Sequence, residues 1–184
     1  MKNRTVPQLT MAALIAALYV VLTYAFDAVS FGPIQFRLSE ALNLFAFFHP
    51  VFILGVTLGC FLSNLPSPLG LPDLLFGTLH TFLSVLVIWK IRRITLASLV
   101  PALFSIIVAA MLSAILKLPL LETYFTLALS EVVICSIIGL PLMYVLYRSG
   151  FIPRFIMDPK DPKWKSTAIW PKFLIRRPME GAPS

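Results

Sequence analysis

The stretch Met11-Ala12-Ala13-Leu14-Ile15-Ala16-Ala17-Leu18-Tyr19-Val20-Val21-Leu22-Thr23-Tyr24-Ala25-Phe26 carries sixteen residues without a charge, and its reading decides the fold. Residues 134–147 repeat that character near the other end of the chain. In lipid only helices and closed barrels satisfy their backbone polar groups. A barrel strand alternates polar and apolar residues; neither stretch alternates, so both read as helices. Composition agrees. Of 184 residues, 59% are hydrophobic and 12% charged, with a mean hydropathy of +0.90. A soluble domain carries roughly twice that share of charge.

Outward from the first stretch, turn residues divide the chain into spans. The first covers residues 8–29 and stops at Ser30-Phe31-Gly32-Pro33. A short helix over 36–48 is closed by His49-Pro50; at ~1.5 Å per residue it covers roughly 20 Å, and crosses only if tilted or partly interfacial. The next runs over 51–63 and gives way to the Pro- and Gly-rich connector 64–72. Three more follow over 73–89, 96–116 and 121–147. The prediction is an all-α integral membrane bundle of six transmembrane helices occupying residues 1–150.

The net charge of +7 sits near the ends of these spans. That placement encodes topology and speaks against nucleic-acid binding. Putting Lys2, Arg4, the Lys90-Ile91-Arg92-Arg93 turn and Arg148 on one side places both termini in the cytoplasm, with Arg37 and Lys117 outside. Residues 1–7 read as the basic flank of a retained helix, since 11–26 lacks a signal-peptide cleavage site. Residues 151–184 form a basic, Pro-rich tail, either poorly ordered or lying on the membrane surface through the apolar-basic segment 164–177. Cys60 and Cys135 lie in apolar segments with no metal or redox spacing, so no metal or cofactor is expected.

A charge within the bilayer costs about 2.5–3.5 kcal/mol even on the lenient scale, so each needs a reason. Gln35, Arg37, Glu40, Asn43, Asn64, Asp73, His80 and Glu131 all fall in the outer half or near mid-depth of the predicted topology. A one-sided polar cluster describes a pocket open to one face; a through-channel needs polar lining in both halves. Arg37, Glu40 and Asn43 recur every three residues on one face of the short helix, where Arg37 and Glu40 are placed to pair or to bind a ligand. Asp73, Gly77, His80, Thr81 and Ser84 form a polar stripe with a glycine gap. Asp73 either complements the helix dipole after Pro72 or faces the pocket, and His80 is either an interhelical hydrogen-bonder or a ligand contact. Glu131 lies ~15 Å into its helix with no opposite charge within two turns, which marks a functional group. Ala12, Ala13, Ala16 and Ala17 make two interleaved small-xxx-small patterns, for internal packing or for docking a partner subunit.

Three blocks carry a family resemblance: Phe31-Gly32-Pro33-Ile34-Gln35-Phe36-Arg37-Leu38-Ser39-Glu40-Ala41-Leu42, Gly59-Cys60-Phe61-Leu62-Ser63-Asn64-Leu65, and Gly70-Leu71-Pro72-Asp73-Leu74-Leu75-Phe76-Gly77-Thr78. Over about residues 8–150 the chain resembles the QueT family of substrate-binding (S) components of energy-coupling factor (ECF) transporters. The tail lies beyond the likeness. The resemblance implies a six-helix protein of the bacterial cell membrane that works with a membrane scaffold (T) subunit and two cytoplasmic ATPases. It implies an outward pocket for a queuosine precursor, meaning a 7-deazaguanine such as preQ1, or queuine. It also implies that alanines such as Ala13 and Ala17 face the scaffold, and that the S component topples in the bilayer to deliver its ligand.

The residues suit that ligand. A deazaguanine edge offers a ring N–H beside an exocyclic amine, which one carboxylate accepts as a bidentate pair. Glu131 or Glu40 is expected on this edge and Asp73 on an amine arm. Asn64 and Arg37 are expected on the carbonyl, with His80 an additional partner. No Gly-x-x-x-x-Gly-Lys-Ser/Thr loop is present, so energy must come from partner ATPases. The competing reading is a stand-alone secondary carrier of a nucleobase or vitamin with Glu131 as proton site, against which stand its size and lack of visible repeats. Two distant histidines and no metal spacing leave little machinery for an enzyme.

Overall fold

A computed structural model describes residues 5–30 and 35–157, and among these every regular element is helical. Helix α1 (Thr5–Ala25) is followed by the short α2 (Asp27–Ser30). A 3-10 helix (Leu38–Leu44) runs into α3 (Phe45–Phe48), and α4 (Val51–Asn64) and α5 (Leu71–Lys90) follow. Next come α6 (Ile94–Ala97) and α7 (Val100–Leu116). Helix α8 (Leu120–Glu131) passes through a π-helical stretch (Val132–Gly139) into α9 (Leu140–Arg148), and a π-helical turn (Ile152–Ile156) closes the described part.

Four spans are long and apolar enough to cross a membrane: Pro7–Ala25, Leu71–Lys90, Ile94–Leu116 and Leu120–Arg148. Leu38–Phe48 and Val51–Asn64 are apolar but shorter. Helical segments therefore stand where the hydropathy predicts them, and the two short ones fall well under the ~30 Å of a hydrocarbon core. Leu14, Leu54, Leu75, Leu103 and Leu129, each more than half exposed, point outward, as lipid-facing residues do.

Proline explains several boundaries. Pro72 and Pro101 sit in the first turns of α5 and α7, where a missing N–H costs nothing. Pro141 lies in the first turn of α9, and the widened π-helical stretch before it accommodates the ring and the lost hydrogen bond. Gly70 starts α5 at φ +65°, a conformation open chiefly to glycine.

Helices α1 and α4 approach each other closely. A Cβ at Gly55 would stand 2.5 Å from the Ala12 carbonyl oxygen, and one at Gly59 would stand 2.8 Å from Tyr19 Cβ. Ala12 and Ala16 are buried in this seam, where small residues let two helices of the same chain touch. Ala13 and Ala17 are on the exposed side of α1. Phe47, Phe48, Phe52 and Leu44 fill the main core, and Ile152 and Ile156 are buried in it, so the packed body reaches beyond residue 150. The segment 164–177 lies outside the described residues.

Candidate functional site

The 3-10 geometry of Leu38–Leu44 stacks residues three apart on one face. Glu40 and Asn43 therefore lie one above the other, and Asn43 Nδ2 donates to Glu40 Oε2. Two more donors converge on Glu40: the Tyr19 hydroxyl reaches Oε1 at 2.5 Å, and Thr81 Oγ1 reaches the same oxygen at 3.3 Å. Three neutral donors from three elements thus hold a carboxylate that is 2% exposed. Donors of this kind satisfy the oxygens of an acid buried in an apolar interior.

Arg37 does not fulfil the expected pairing with Glu40 on its own helix. Its Nη2 donates to Asp73 Oδ2 at 3.1 Å, and its Nε to the Ser30 carbonyl at 3.2 Å. Ser67 Oγ reaches Asp73 Oδ2 at 2.6 Å, and Asn64 Nδ2 donates to the Asp73 backbone carbonyl at 3.3 Å. Asp73, 1% exposed, is thereby the anchor of a buried ion pair joining the segment before the 3-10 helix to the α4–α5 connector. It lies behind the recess described next and is not among its lining residues. Arg37 and Ser67 both donate to its Oδ2.

A recess is lined by Gln35, Arg37 and Glu40, by Gly77 and His80 of α5, by Ser105 and Val108 of α7, and by Leu127 and Glu131 of α8. Five sequence-predicted residues, Gln35, Arg37, Glu40, His80 and Glu131, thus meet there; Asn43, Asn64 and Asp73 stand behind and brace them. Gly77 is the expected gap, for a Cβ there would stand 2.8 Å from Asn64 Nδ2. Gln35 holds φ +46°, an uncommon left-handed conformation for a non-glycine residue and one often found at binding sites. The recess is narrow, with about 20 Å³ of water-sized free space. A ring ligand needs its walls to part.

At its base, Glu40, His80 and Glu131 each offer a ligating atom, all within 4.8 Å of one another. His80 Nε2 lies 3.0 Å from the Pro101 carbonyl. A carbonyl only accepts, so Nε2 carries the proton and Nδ1 is left as the second functional nitrogen. Glu131 is 8% exposed, and the one hydrogen bond it receives among the described residues comes from the Cys135 thiol at 3.7 Å. Of the three acidic groups, it has the least support. Tyr19 is the residue that sequence reading missed: a phenol in an otherwise uncharged run, whose hydroxyl needs a partner once buried.

The polar end of the bundle is opposite the basic one. Helix α5 carries Asp73 in its first turn and Lys90 in its last, and α9 ends at Arg148.

Comparison with known proteins bears on this arrangement. Residues 9–148 match the sequence model of the family described as QueT transporter. The chain is 36% identical over 175 residues to the queuosine precursor transporter QueT of Lactococcus lactis subsp. cremoris, covering 86% of this chain and 94% of that protein. No solved structure matches.

Proposed function

The chain belongs to the QueT transporter family, and from that premise we propose that it is the S subunit of an ECF importer capturing a queuosine precursor. Membership makes it a multi-pass membrane transporter and not an enzyme. The substrate class follows from the relative's name. One observation carries the pocket assignment: Glu40, His80 and Glu131, from three separate helices, converge at the base of a recess among apolar spans. Lipid penalises each carboxylate, and a donor-rich small molecule is what such a trio accommodates.

A 7-deazaguanine presents two donor groups of the right kind, the amidine edge of the ring and, in preQ1 or queuine, a protonated amine arm. The Glu40–Glu131 pair takes one of them. Arg37 and the Gln35 amide, at the same recess, are suited to the ring carbonyl. Entry is from the outside, with both termini in the cytoplasm and the shorter helices completing six spans. The scaffold T subunit docks on the exposed Ala13–Ala17 side of α1, and two cytoplasmic ATPases supply the energy.

The test is calorimetric titration of the purified full-length protein in detergent with a 7-deazaguanine. Stoichiometric binding that guanosine does not compete away is expected; no binding would end the assignment. Uptake into cells distinguishes the competing carrier. An ECF importer loses transport when its ATPases are deleted. A secondary carrier loses it when the proton gradient is dissipated with ATP maintained.

A further inference from the structure

We propose that Glu40, His80 and Glu131 together form a seat for a protonated amine, so that the protein sorts its ligands by charge. This rests on the recess being the ligand site, and assigns to the carboxylate pair the amine arm and not the amidine edge.

Shape is the first argument. An ammonium carries three free N–H groups in tetrahedral directions, and acceptors ~2.8 Å from its nitrogen along those directions lie about 4.6 Å apart. The three atoms at the base of the recess lie within 4.8 Å of one another. An amidine edge is flat and two-pronged, and needs both oxygens of one carboxylate in its plane. Three acceptors brought from three helices match a three-pronged donor better.

Acceptor capacity is the second. A carboxylate has about four lone-pair sites. Glu40 receives Tyr19, Thr81 and Asn43, and so keeps one. Glu131, buried and lining the recess, receives a single thiol contact among the described residues. His80 Nε2 donates to the Pro101 carbonyl, and Nδ1 is an acceptor whenever the ring is neutral. Each member of the trio therefore retains room for one N–H.

Charge is the third. Glu40, Asp73 and Glu131 are three carboxylates around one guanidinium, Arg37, whose Nη2 is on Asp73. A cationic ligand stabilises the ionised form of the carboxyl groups that face it; a neutral one does not.

Two ligands with the same ring separate the ideas: 7-aminomethyl-7-deazaguanine, which is cationic, and 7-cyano-7-deazaguanine, which is neutral. Titrated into the full-length protein, the amine should bind roughly 30-fold more tightly, the scale of a hydrogen-bonded charge. That ratio should collapse towards one in Glu131→Gln or in Glu40→Gln, each checked for a cooperative melt so that a misfolded variant is replaced by the other. A wild-type ratio near one overturns the seat while leaving the recess as a deazaguanine site. So does a ratio that survives in both variants, or Zn²⁺ or Mn²⁺ alone binding and displacing the amine. If neither ring binds, the ligand reading of the recess falls and the seat falls with it.

Discussion

Replacing Tyr19 by Phe removes one oxygen from the middle of α1 and little else, which makes it a sharp probe of how the membrane interior holds Glu40. The hydroxyl donates to Glu40 Oε1 at 2.5 Å. Tyr19 and Glu40 are 0% and 2% exposed, so bulk water cannot take over the lost bond. A hydrogen bond to a charged group contributes about 1.5–3 kcal/mol. For a chain of this size each kcal/mol moves the melting temperature by about 2–4 °C, so Tyr19→Phe should melt roughly 3–12 °C lower. Circular dichroism of the detergent-solubilised protein reads this directly. Ligand affinity should also fall, by roughly 3–10-fold, since Asn43 and Thr81 still hold Glu40 but less firmly. Tyr24→Phe is the control: its hydroxyl donates to the Leu62 carbonyl at 3.2 Å from an exposed position, and should cost under about 0.5 kcal/mol. A Tyr19→Phe protein that melts within about 1 °C of wild type and binds equally well would refute the idea that neutral donors stabilise Glu40.

Three further perturbations probe the frame around the site. Gly55→Ala pushes a Cβ to 2.5 Å from the Ala12 carbonyl, a backbone atom that cannot swing away, and should destabilise by about 1–3 kcal/mol in the same melt; Ala17→Leu, on the exposed side of the same helix, should melt normally yet fail to pull down the scaffold subunit. Arg37→Met strands the Asp73 carboxylate and should cost about 3–5 kcal/mol, while Arg37→Met with Asp73→Asn should recover much of it; equal losses in single and double variants would show that the pair is not coupled.

The helices were legible in the sequence because hydropathy reports burial in lipid one residue at a time. Uncharged runs and Pro- or Gly-rich punctuation predict α1, α4, α5, α7 and the long α8–α9 rod within a few residues. Pairing was not legible, because it depends on how each helix is rotated about its axis and how closely it approaches a neighbour. The alanines of α1 illustrate this. Their spacing predicts a close approach, but only the glycines of α4 decide that Ala12 and Ala16 are used inside the chain while Ala13 and Ala17 stay outside. Arg37 illustrates it too. A neighbour three residues away is the obvious partner in the sequence, yet Arg37 sits just before the 3-10 helix and reaches Asp73, thirty-six residues on.

The three carboxylates bring the argument to a point that sequence could only outline. Each costs lipid about the same to bury, so each must be stabilised by something. Asp73 has a guanidinium and a serine; Glu40 has a phenol, an amide and a hydroxyl; both are supplied by the fold. Glu131 has a thiol at 3.7 Å and faces the recess. Asp73 and Glu40 each receive at least two side-chain donors; Glu131 receives one among the described residues. Under the proposed function, a ligand in the recess supplies the donors that Glu131 lacks, and Glu131 is the residue whose neutralisation should alter ligand choice most.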